Sequence, residues 1–444
     1  MKVCIIGTGY VGLVTGTCFA DFGNSVTCIE TNEQKLQILK KNKVPFFEPE
    51  LSEKVAKNTT AKRLSFSDQL SEAYASHDIF FIAVGTPQKD NGEADTSQVM
   101  EVSQQLIKLS QKNKTSAKKY IVIKSTVPVG TCQRIQDLFS EHKISNYAVL
   151  SNPEFLRQGS AVYDFFHPNR IVIGGKTQDD IQVIKSLYEP LYRRDIPVIE
   201  TNLETAELAK YASNAFLATK ISFINEMANL SEKVGSNIQD IAKIMGMDNR
   251  IGKYFLHPGP GYGGSCFPKD TQALLALSET MDTKLPIVAA TEITNHSQKT
   301  RIIPILEKTY PNLSGLTLAI LGLSFKPNTD DIREAPAMAI IQALLKQGCH
   351  IRVYDPEAMN NTKSIFQDSI YYAQNSYDAA KDTDGLLLVT EWNNFRDLDL
   401  DKLKSSMKQA YMFDLRNIYK PHQLEMAGFK VFSIGHKQKI SKKI

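Results

Sequence analysis

The first 200 residues alternate between apolar runs of strand length and longer stretches of helical character, such as residues 96–110. Short apolar runs of this kind are typical of strands buried on both faces. Strands that alternate with helices indicate βαβ units. We therefore predict a doubly wound parallel sheet. Its predicted strands are residues 3–6, 25–30, 79–84, 120–124, 148–150 and 170–173.

The pattern changes after residue 203. Residues 204–235 contain good helix formers and neither Pro nor Gly before Gly235, which predicts one long helix. Further helix is expected at residues 239–245 and from about residue 270, on either side of a glycine-rich loop at 257–266. Strand-like runs return at residues 317–323, 350–354, 385–389 and 411–413. The last part of the chain is thus a second α/β region, followed by a short basic tail that we expect to be solvated.

A glycine-rich turn follows the first predicted strand. Gly7, Gly9 and Gly12 are spaced as G-x-G-x-x-G, and Glu30 ends the next strand. In a dinucleotide-binding turn, glycines permit a tight turn and close approach of a pyrophosphate, and the acid accepts hydrogen bonds from the adenosine ribose. A carboxylate there repels a ribose phosphate, so NAD is favoured over NADP. The alternative interpretation is a tight turn beside a surface acid. The strand before the glycines, the helix after them and the acid at the end of the next strand together favour dinucleotide binding instead.

Length and this motif define the domain organisation. At about 100–200 residues per domain, 444 residues indicate two or three domains. We predict an α/β fold with two Rossmann-like doubly wound domains, joined by a long central helix and a helical middle domain. The predicted domains are an NAD-binding domain at 1–200, a central helical domain at 201–300 and a C-terminal α/β domain at 310–444.

Composition excludes several other classes of protein. Apolar residues make up 42% and charged residues 23%, so the chain is not largely disordered. The net charge is 52 − 48 = +4, which does not indicate a nucleic-acid partner. No apolar run of about 18 residues predicts a membrane span. Six scattered cysteines form no metal motif and are expected to be reduced, in the cytoplasm.

Other polar residues lie where a parallel sheet binds ligands. Thr86 and Thr126 follow predicted strands, at the carboxyl ends where open α/β sheets bind ligands, although each Thr-Pro pair alone is more often a plain loop. Lys210 and Asn214 share one face of the long helix, which by itself is usually a solvated face. Lys326 and Arg333, after the first strand of the last region, are suited to neutralise phosphates.

The loop at residues 259–270 is the least ordinary segment. It has four glycines, and Cys266 lies near its end, beside Lys269 and Asp270. A nearby ammonium group or the amino end of the next helix favours the nucleophilic thiolate. The other explanation, a small buried cysteine, is the one we expect for Cys4, Cys18, Cys28 and Cys349.

These motifs together resemble the UDP-glucose/GDP-mannose dehydrogenase family over nearly the whole chain. The resemblance rests on the turn at 7–12, Ser-Asn-Pro-Glu-Phe-Leu-Arg at 151–157, the Lys210/Asn214 helix, Gly-Gly-Ser-Cys-Phe-Pro-Lys-Asp at 263–270 and Phe-Lys-Pro at 325–327. The cysteine loop looks like that of the UDP-glucose branch. Dehydrogenases of GDP-mannose or of UDP-N-acetylhexosamines remain the alternative within the family.

The resemblance implies oxidation of a sugar's primary alcohol to a carboxylate by two NAD in succession, here UDP-glucose to UDP-glucuronate. Cys266 would hold the intermediate aldehyde as a thiohemiacetal and then a thioester. Lys210 would stabilise oxyanions and Asn214 would orient the reacting oxygen. Asp270 would position water, and Glu154 would act in acid–base chemistry.

The resemblance also implies which residues bind the two ligands. For NAD they are Gly7, Gly9, Val11, Gly12, Glu30, Lys35, Thr86, Thr126, Gln158, Lys269 and Arg333. For the nucleotide sugar they are Glu154, Phe155, Leu156, Arg157, Gln158, Lys210, Asn214, Arg250, Phe255, Leu256, His257, Pro258, Gly259, Gly263 and Lys326.

Two of these residues have further consequences. In the family, an arginine matching Arg250 reaches the site of a neighbouring subunit, which implies a homodimer. Gln158 departs from the glutamate that many members have, and an amide cannot serve as a base.

Two other classes share the first domain. A non-catalytic NAD-binding protein would not need Cys266, Lys210, Asn214 and Asp270. A one-step hydroxy-acid or hydroxyacyl dehydrogenase would need neither Cys266 nor a second NAD.

Overall fold

A computed structural model describes residues 1–113, 116–192 and 195–437. The chain divides into two compact units. The first unit comprises residues 1–213 with the segment 276–281, and the second comprises residues 214–275 and the chain from Asp282 onward. Most of the basic tail, from residue 438, lies outside the described residues.

The first unit alternates strands and helices, as the apolar pattern predicts. The elements up to residue 201 are β1 (Lys2–Ile6), α1 (Tyr10–Asp21), β2 (Ser25–Ile29), α2 (Glu33–Lys40), α3 (Leu51–Thr60), β3 (Leu64–Ser67), α4 (Leu70–Ser76), β4 (Ile79–Ile82), α5 (Ser97–Lys112), β5 (Lys119–Ile123), α6 (Thr131–Glu141), β6 (Tyr147–Ser151), α7 (Ala161–Phe166), β7 (Ile171–Gly174), α8 (Gln178–Ser186), α9 (Glu189–Tyr192) and β8 (Val198–Thr201).

The strands of this unit form one eight-stranded sheet in the order β3-β2-β1-β4-β5-β6-β7-β8. All neighbours pair in parallel except β6 and β7, which are antiparallel. The prediction of a doubly wound parallel sheet is confirmed, with the β6–β7 pair as its antiparallel exception. The order 3-2-1-4-5-6 reverses direction between β1 and β4, where such sheets bind ligands.

Alternate side chains of the central strand pack on opposite faces of this sheet. Val3 and Ile5 belong to the hydrophobic core on one face, and Cys4 and Ile6 belong to the core on the other. A strand with helices on both faces buries every side chain, which explains why β1 is apolar without alternation.

The long helix predicted at residues 204–235 is α10 (Leu203–Val234), and the boundary between the units at 213/214 lies within it. The elements after it are α11 (Ile238–Gly246), α12 (Phe267–Thr280), α13 (Pro286–Thr300), α14 (Ile302–Thr309), β9 (Thr317–Leu321), α15 (Pro336–Lys346), β10 (His350–Tyr354), α16 (Met359–Phe366), β11 (Tyr371–Tyr372), α17 (Ser376–Ala380), β12 (Gly385–Leu388), α18 (Leu400–Ser406), β13 (Tyr411–Asp414), α19 (Pro421–Met426) and β14 (Lys430–Ser433), with 3₁₀ turns at Gln367–Ser369 and Asn393–Phe395.

The second unit has its own six-stranded parallel sheet, in the order β11-β10-β9-β12-β13-β14. Leu318 and Ile320 pack on one face and Ala319 and Leu321 on the other, so this sheet too has a core on each side. The prediction of a second doubly wound sheet is confirmed. Its strand order again reverses around the first strand, between β9 and β12.

Some elements differ from the expected ones. Strands β3, β8, β11 and β14 were not predicted, because they are short and lie at or beside a sheet edge, where part of each strand stays exposed. Helix α12 begins at Phe267, three residues before the expected start. Cys266 therefore lies directly in front of the helix.

Candidate active site

The glycine turn joins β1 to α1. The Gly7 N–H donates to the Ile29 carbonyl at 2.9 Å, which ties the turn to β2. A Cβ on Gly12 would lie 2.0 Å from the Gly7 carbonyl oxygen, so only glycine lets the helix pack this closely. A Cβ on Gly9 would have no atom within 4 Å, which leaves space in front of the helix.

The amino end of α1 fits a pyrophosphate. Within the described part of the chain, no side chain caps this helix and its first turn has no acidic residue. Its first backbone N–H groups therefore suit a bound anion. Val11 lies in this first turn. The turn fits the phosphates of a dinucleotide.

Glu30 follows β2, beside this turn. It accepts hydrogen bonds from the Thr8 hydroxyl and, at 2.8 Å, from the Asn32 N–H, so its orientation is fixed by the protein. Asn32 also caps α2 by accepting from the Lys35 N–H at 3.0 Å, and the Lys35 side chain is exposed. A fixed carboxylate at this position suits a ribose diol and repels a ribose phosphate.

The structure brings two predicted cofactor residues together at the strand ends of β4 and β5. The Thr86 hydroxyl donates to the Thr126 carbonyl at 2.9 Å. Thr86 is buried and Thr126 is half-buried. The two threonine loops thus form one surface at the carboxyl edge of the sheet.

Glu154 and Lys210 form a buried ion pair in the first unit. Lys210 Nζ lies 3.0 Å from Glu154 Oε1, and the side chains are 4% and 5% exposed, respectively. The other Glu154 oxygen accepts from the Leu156 N–H, which fixes the carboxylate. The Phe155 ring lies near the pair, with its centroid 5.3 Å from Lys210 Nζ, and the Arg170 guanidinium stacks on it at 3.5 Å.

Lys124 is a further buried lysine that the sequence analysis did not assign to the site. Its Nζ donates to Asn152 Oδ1 at 3.0 Å and to the Tyr188 hydroxyl at 3.3 Å. Burial lowers the pKa of Lys124 to about 7, an effect that the negative charge of Glu154 partly opposes. The available signal was its position: a lysine at the carboxyl end of an apolar strand is unusual.

The segment after Glu154 is held mainly by carboxylates. Arg157 is largely exposed and pairs with Asp164 at 2.6 Å. Glu48 accepts the N–H groups of Gly159 and Ala161, both at 2.7 Å. Gln158 lies between these anchors, and its Oε1 is buried with no hydrogen-bond partner in the described part of the chain.

In the second unit, Cys266 lies immediately before α12. Its carbonyl accepts the Asp270 N–H at 2.8 Å, and its Sγ lies 3.6 Å from the Ser265 hydroxyl. The other five cysteines are buried, whereas Cys266 is partly exposed. The amino end of a helix favours a negative charge on the thiol.

Asp270 is at the centre of a polar cluster in the first turn of α12. It is 1% exposed, and its Oδ2 accepts from Asn214 Nδ2 at 2.6 Å. Its Oδ1 accepts from Lys269 Nζ at 2.5 Å. Three residues predicted to serve the site are therefore in direct contact.

The loop before Cys266 is held in an unusual conformation. Phe255 has a left-handed backbone (φ 64°), uncommon for a bulky residue and typical of functional loops, and its ring is 6.0 Å from that of Phe267. A Cβ on Gly263 would lie 2.3 Å from the Glu334 carbonyl oxygen, so this approach requires glycine.

The residues between Phe255 and Gly263 are buried except for His257. Leu256, Pro258 and Gly259 are buried, whereas His257 is exposed. The Gly259 N–H donates to Asn225 Oδ1 at 2.8 Å, and its carbonyl accepts from Gln298 Nε2 at 2.9 Å.

Lys326 and Arg333 lie on the loop after β9. Lys326 is half-buried, with its Nζ 5.2 Å from the centre of the Phe325 ring. Arg333 pairs with Asp331 at 2.6 Å, and its carbonyl accepts the Gly264 N–H at 2.8 Å. The loop that carries Lys326 and Arg333 therefore meets the cysteine loop within one unit.

Arg416 is a second residue that the sequence analysis missed. It follows β13, and its guanidinium donates to the Val389 carbonyl at 2.8 Å and to the Phe325 carbonyl at 3.4 Å. A Cβ on Gly259 would lie 2.7 Å from Arg416 Nη1. Its proximity to two predicted substrate segments makes it a candidate phosphate ligand. Position after a strand was the only signal in the sequence.

Arg250 has a different environment. Its side chain is 89% exposed and pairs with Asp248 at 2.6 Å, on the surface of the second unit.

No group of three or more His, Cys, Asp or Glu among the described residues is placed to hold a metal ion. Within those same residues, no helix has the length and apolar character needed to cross a membrane.

The fold and the glycine turn define a dinucleotide-binding protein of the Rossmann class, with a thiol-bearing loop in its second unit. Residues 1–192 match the NAD binding domain of the UDP-glucose/GDP-mannose dehydrogenase family, residues 204–297 its central domain and residues 319–421 its UDP binding domain. The chain belongs to the UDP-glucose/GDP-mannose dehydrogenase family.

Similar proteins span the whole chain. It is 46% identical over 440 residues to a UDP-glucose 6-dehydrogenase of Rhizobium meliloti, covering 98% of this chain and 99% of the relative. It is 42% identical over 436 residues to UDP-glucose 6-dehydrogenase TuaD of Bacillus subtilis, covering 98% and 93%. A solved UDP-glucose dehydrogenase from Pyrobaculum islandicum aligns with a TM-score of 0.90 at 32% identity, covering 99% of this chain and 97% of that one.

Proposed function

We propose that this chain catalyses the NAD-dependent, four-electron oxidation of UDP-glucose to UDP-glucuronate. The observation that carries the proposal is the partly exposed thiol of Cys266 at the amino end of α12, four residues before the buried Asp270. Relatives named UDP-glucose 6-dehydrogenase at up to 46% identity favour this substrate over GDP-mannose and UDP-N-acetylhexosamines.

Bound NAD supplies the hydride acceptor for each of the two oxidations. The residues proposed to hold it are Gly7, Gly9, Val11, Gly12, Glu30, Lys35, Thr86, Thr126, Gln158, Lys269 and Arg333. Glu30 and the open face at Gly9 support this placement, because they suit a ribose diol and a pyrophosphate.

Cys266 retains the substrate between the two oxidations. Its thiolate adds to the C6 aldehyde to form a thiohemiacetal, and the second oxidation leaves a thioester on the same sulfur. Water then adds to the thioester carbonyl, the C–S bond breaks, and the carboxylate and the thiolate are released. Overall, one alcohol and one water give one carboxylate, with two hydrides transferred.

Glu154 and Lys210 are proposed to handle charge and protons on oxygen. An ammonium group buried at 4% exposure stabilises a developing alkoxide more strongly than one in water. Glu154, 3.0 Å away, pairs with that ammonium group and is suited to exchange a proton with water during hydrolysis.

Asn214 and Asp270 are proposed to orient the reacting oxygen and the hydrolytic water. Asn214 Nδ2 donates to Asp270 at 2.6 Å, which fixes the amide so that its oxygen faces away from the carboxylate. Lys269 donates to the other carboxylate oxygen, which holds the Asp270 side chain where it can accept a hydrogen bond from water.

The nucleotide sugar is proposed to bind mainly through the second unit. The family's UDP binding domain matches residues 319–421, which contain Lys326 and Arg416. The remaining proposed contacts are Phe155, Leu156, Arg157, Gln158, Phe255, Leu256, His257, Pro258, Gly259 and Gly263. The predicted division into domains at 1–200, 201–300 and 310–444 remains part of this proposal.

We also propose a homodimer. Phe216, Phe223, Leu230 and Val234 follow one another along α10 at spacings of seven, seven and four residues, which places them on one face of the helix, and they are 43–66% exposed. A second copy of the chain is the proposed occupant, because the family resemblance at Arg250 implies that this arginine reaches the site of a neighbouring subunit. The six free thiols favour a reducing, cytoplasmic location.

The test is a substrate panel with product analysis. Purified protein is assayed for NADH with UDP-glucose, GDP-mannose and UDP-N-acetylhexosamines, and products are quantified by mass spectrometry. We expect UDP-glucose to be preferred and two NADH to form per UDP-glucuronate. One NADH per turnover with free aldehyde would overturn the thioester route, and preference for another nucleotide sugar would overturn the substrate.

A further inference from the structure

The two sheets place an acidic residue at the same topological position. Glu30 follows β2, the neighbour of β1, and Asp355 follows β10, the neighbour of β9. In a dinucleotide-binding fold this position holds the acid that binds ribose. Asp355 is 1% exposed, however, and both of its oxygens are used within the protein.

The Asp355 carboxylate accepts hydrogen bonds from two directions. Oδ1 accepts the N–H groups of Glu357 at 2.9 Å and Ala358 at 2.8 Å, just after β10. Oδ2 accepts the N–H groups of Leu323 at 2.7 Å and Ser324 at 3.1 Å, just after β9. The carboxylate therefore joins the ends of two adjacent strands.

Trp392, the single tryptophan of the chain, completes the cluster. Its Nε1 donates to Asp355 Oδ2 at 3.0 Å and contacts the Ser324 hydroxyl at 3.2 Å. Thr390 donates to the Ser324 carbonyl at 2.5 Å, so Ser324 is held through its N–H, hydroxyl and carbonyl groups. A charged acceptor with this many donors is a strong, directional anchor.

The anchored residues lead directly into the loop that carries Lys326. Ser324 is two residues from Lys326, so the direction in which the chain leaves β9 sets where the ammonium group lies. The far end of the loop has further anchors: Asp331 binds Arg333, and the Arg333 carbonyl accepts the Gly264 N–H. The Phe325 N–H also donates to the Asp331 carbonyl at 3.1 Å, which links the two ends of the loop. Loss of the Asp355 anchor should therefore displace the Lys326 end more than the Arg333 end.

We propose that Asp355 is a positioning residue for the UDP moiety of the substrate, which it serves by fixing, with Trp392, the start of the Lys326 loop. The inference rests on the proposed function, because it takes UDP-glucose as the substrate. Asp355 occupies the position in the second sheet that Glu30 occupies in the first. The proposal gives it a role in shaping a diphosphate-binding loop. Preorganising such a loop lowers the entropy lost on binding.

A matched control lies at the opposite end of the same strand. Asp384 is also buried, and its Oδ2 accepts the Thr317 N–H at 2.9 Å, at the start of β9. Asp384→Ala therefore removes a buried carboxylate that holds a β9 backbone group but is remote from the Lys326 loop. A general loss of stability would affect both variants alike.

The experiment compares Asp355→Ala, Trp392→Phe and Asp384→Ala with the wild type. UDP affinity is measured by calorimetry, KM values and kcat by NADH formation, and Tm by thermal unfolding. For Asp355→Ala we expect the UDP Kd and the UDP-glucose KM to rise roughly tenfold, the cost of about one lost preorganising interaction. The KM for NAD should change less than about twofold, because the glycine turn is untouched.

Trp392→Phe removes one donor but leaves the carboxylate, so we expect a smaller rise in the same two quantities, without a matching fall in kcat. It also tests the proposal if Asp355→Ala does not fold. Unchanged UDP affinity in a folded Asp355→Ala protein would overturn the positioning role, and so would unchanged UDP affinity in Trp392→Phe. An equal loss of UDP affinity in Asp384→Ala would overturn it as well. Failure of the wild type to oxidise UDP-glucose would instead overturn the proposed function.

Discussion

Two buried lysines near the carboxyl edge of the first sheet have different partners. Lys210 faces the Glu154 carboxylate at 3.0 Å, whereas Lys124 donates to the neutral groups of Asn152 and Tyr188. A charge taken out of water without an opposite charge in contact is destabilised. Burial therefore makes Lys124 lose its proton more readily than a lysine in water.

This difference predicts a pH-dependent stability. Because burial lowers the pKa of Lys124 to about 7 from 10.5, the unfolded chain binds more protons than the folded chain between these values. The free energy of unfolding should rise with pH in this window and lose this contribution as the pH falls to 7. Lys124→Met removes the effect, so its stability relative to the wild type should fall by up to about 1 kcal/mol per pH unit from pH 7 to 10.

Urea unfolding at a series of pH values measures this difference. Lys40→Met, which replaces an exposed lysine, is the control for the loss of one positive charge. If the difference in the free energy of unfolding between Lys124→Met and the wild type does not change with pH between 7 and 10, the lowered pKa of Lys124 is contradicted.

Cys266 gives a second prediction at the residue scale. Cys266→Ser should complete at most a single turnover, with two NADH formed per site, and accumulate an ester adduct, because an alkoxide leaves far less readily than a thiolate. Intact-mass spectrometry after mixing with UDP-glucose and NAD detects the adduct. Cys349→Ser, which alters a buried cysteine of the same unit, should turn over normally. Full steady-state activity of Cys266→Ser without an adduct would show that the thiol is structural.

The glycine turn shows how one element combines folding and binding. Gly12 lies where α1 crosses the Gly7 carbonyl, and a Cβ there would come within 2.0 Å of that oxygen. Gly9 faces open space. Gly12 is therefore required by packing, and Gly9 is free to serve a ligand.

Two alanine variants separate these roles. Gly12→Ala should lower Tm and weaken NAD binding, because α1 must move away from the turn. Gly9→Ala should weaken NAD binding with little change in Tm, because its methyl group contacts no protein atom. Thermal unfolding and NAD titration by calorimetry measure both. An equal loss of Tm in the two variants would refute this division.

At the scale of the whole molecule, α10 presents an apolar face that a single copy does not cover. Phe216→Glu places a charge on this face, where Phe216 is 66% exposed, and should convert the proposed dimer to monomers. Sedimentation velocity measures the change. Ile365→Glu alters a side chain that is 50% exposed on α16 and should leave the mass of the sedimenting species unchanged. A dimer that persists in Phe216→Glu would count against this interface.

The sequence by itself determined the two α/β regions, the long helix, the glycine turn and the cysteine loop. These features depend on local chemistry: apolar runs that require burial, glycines that permit close approach, and helix formers without a breaker. The short strands β3 and β11 escaped prediction because too few residues in them repeat a pattern.

The tertiary structure alone decided which polar groups meet. Glu154 binds Lys210 and Asp270 binds Asn214, each across 56 residues of sequence. The antiparallel pairing of β6 with β7, the burial of Lys124 and the anchoring of Ser324 by Asp355 were likewise absent from any local pattern. The physical reason is that strand order and burial bring distant residues into contact, and local sequence encodes neither the partner nor the depth at which a charge is placed.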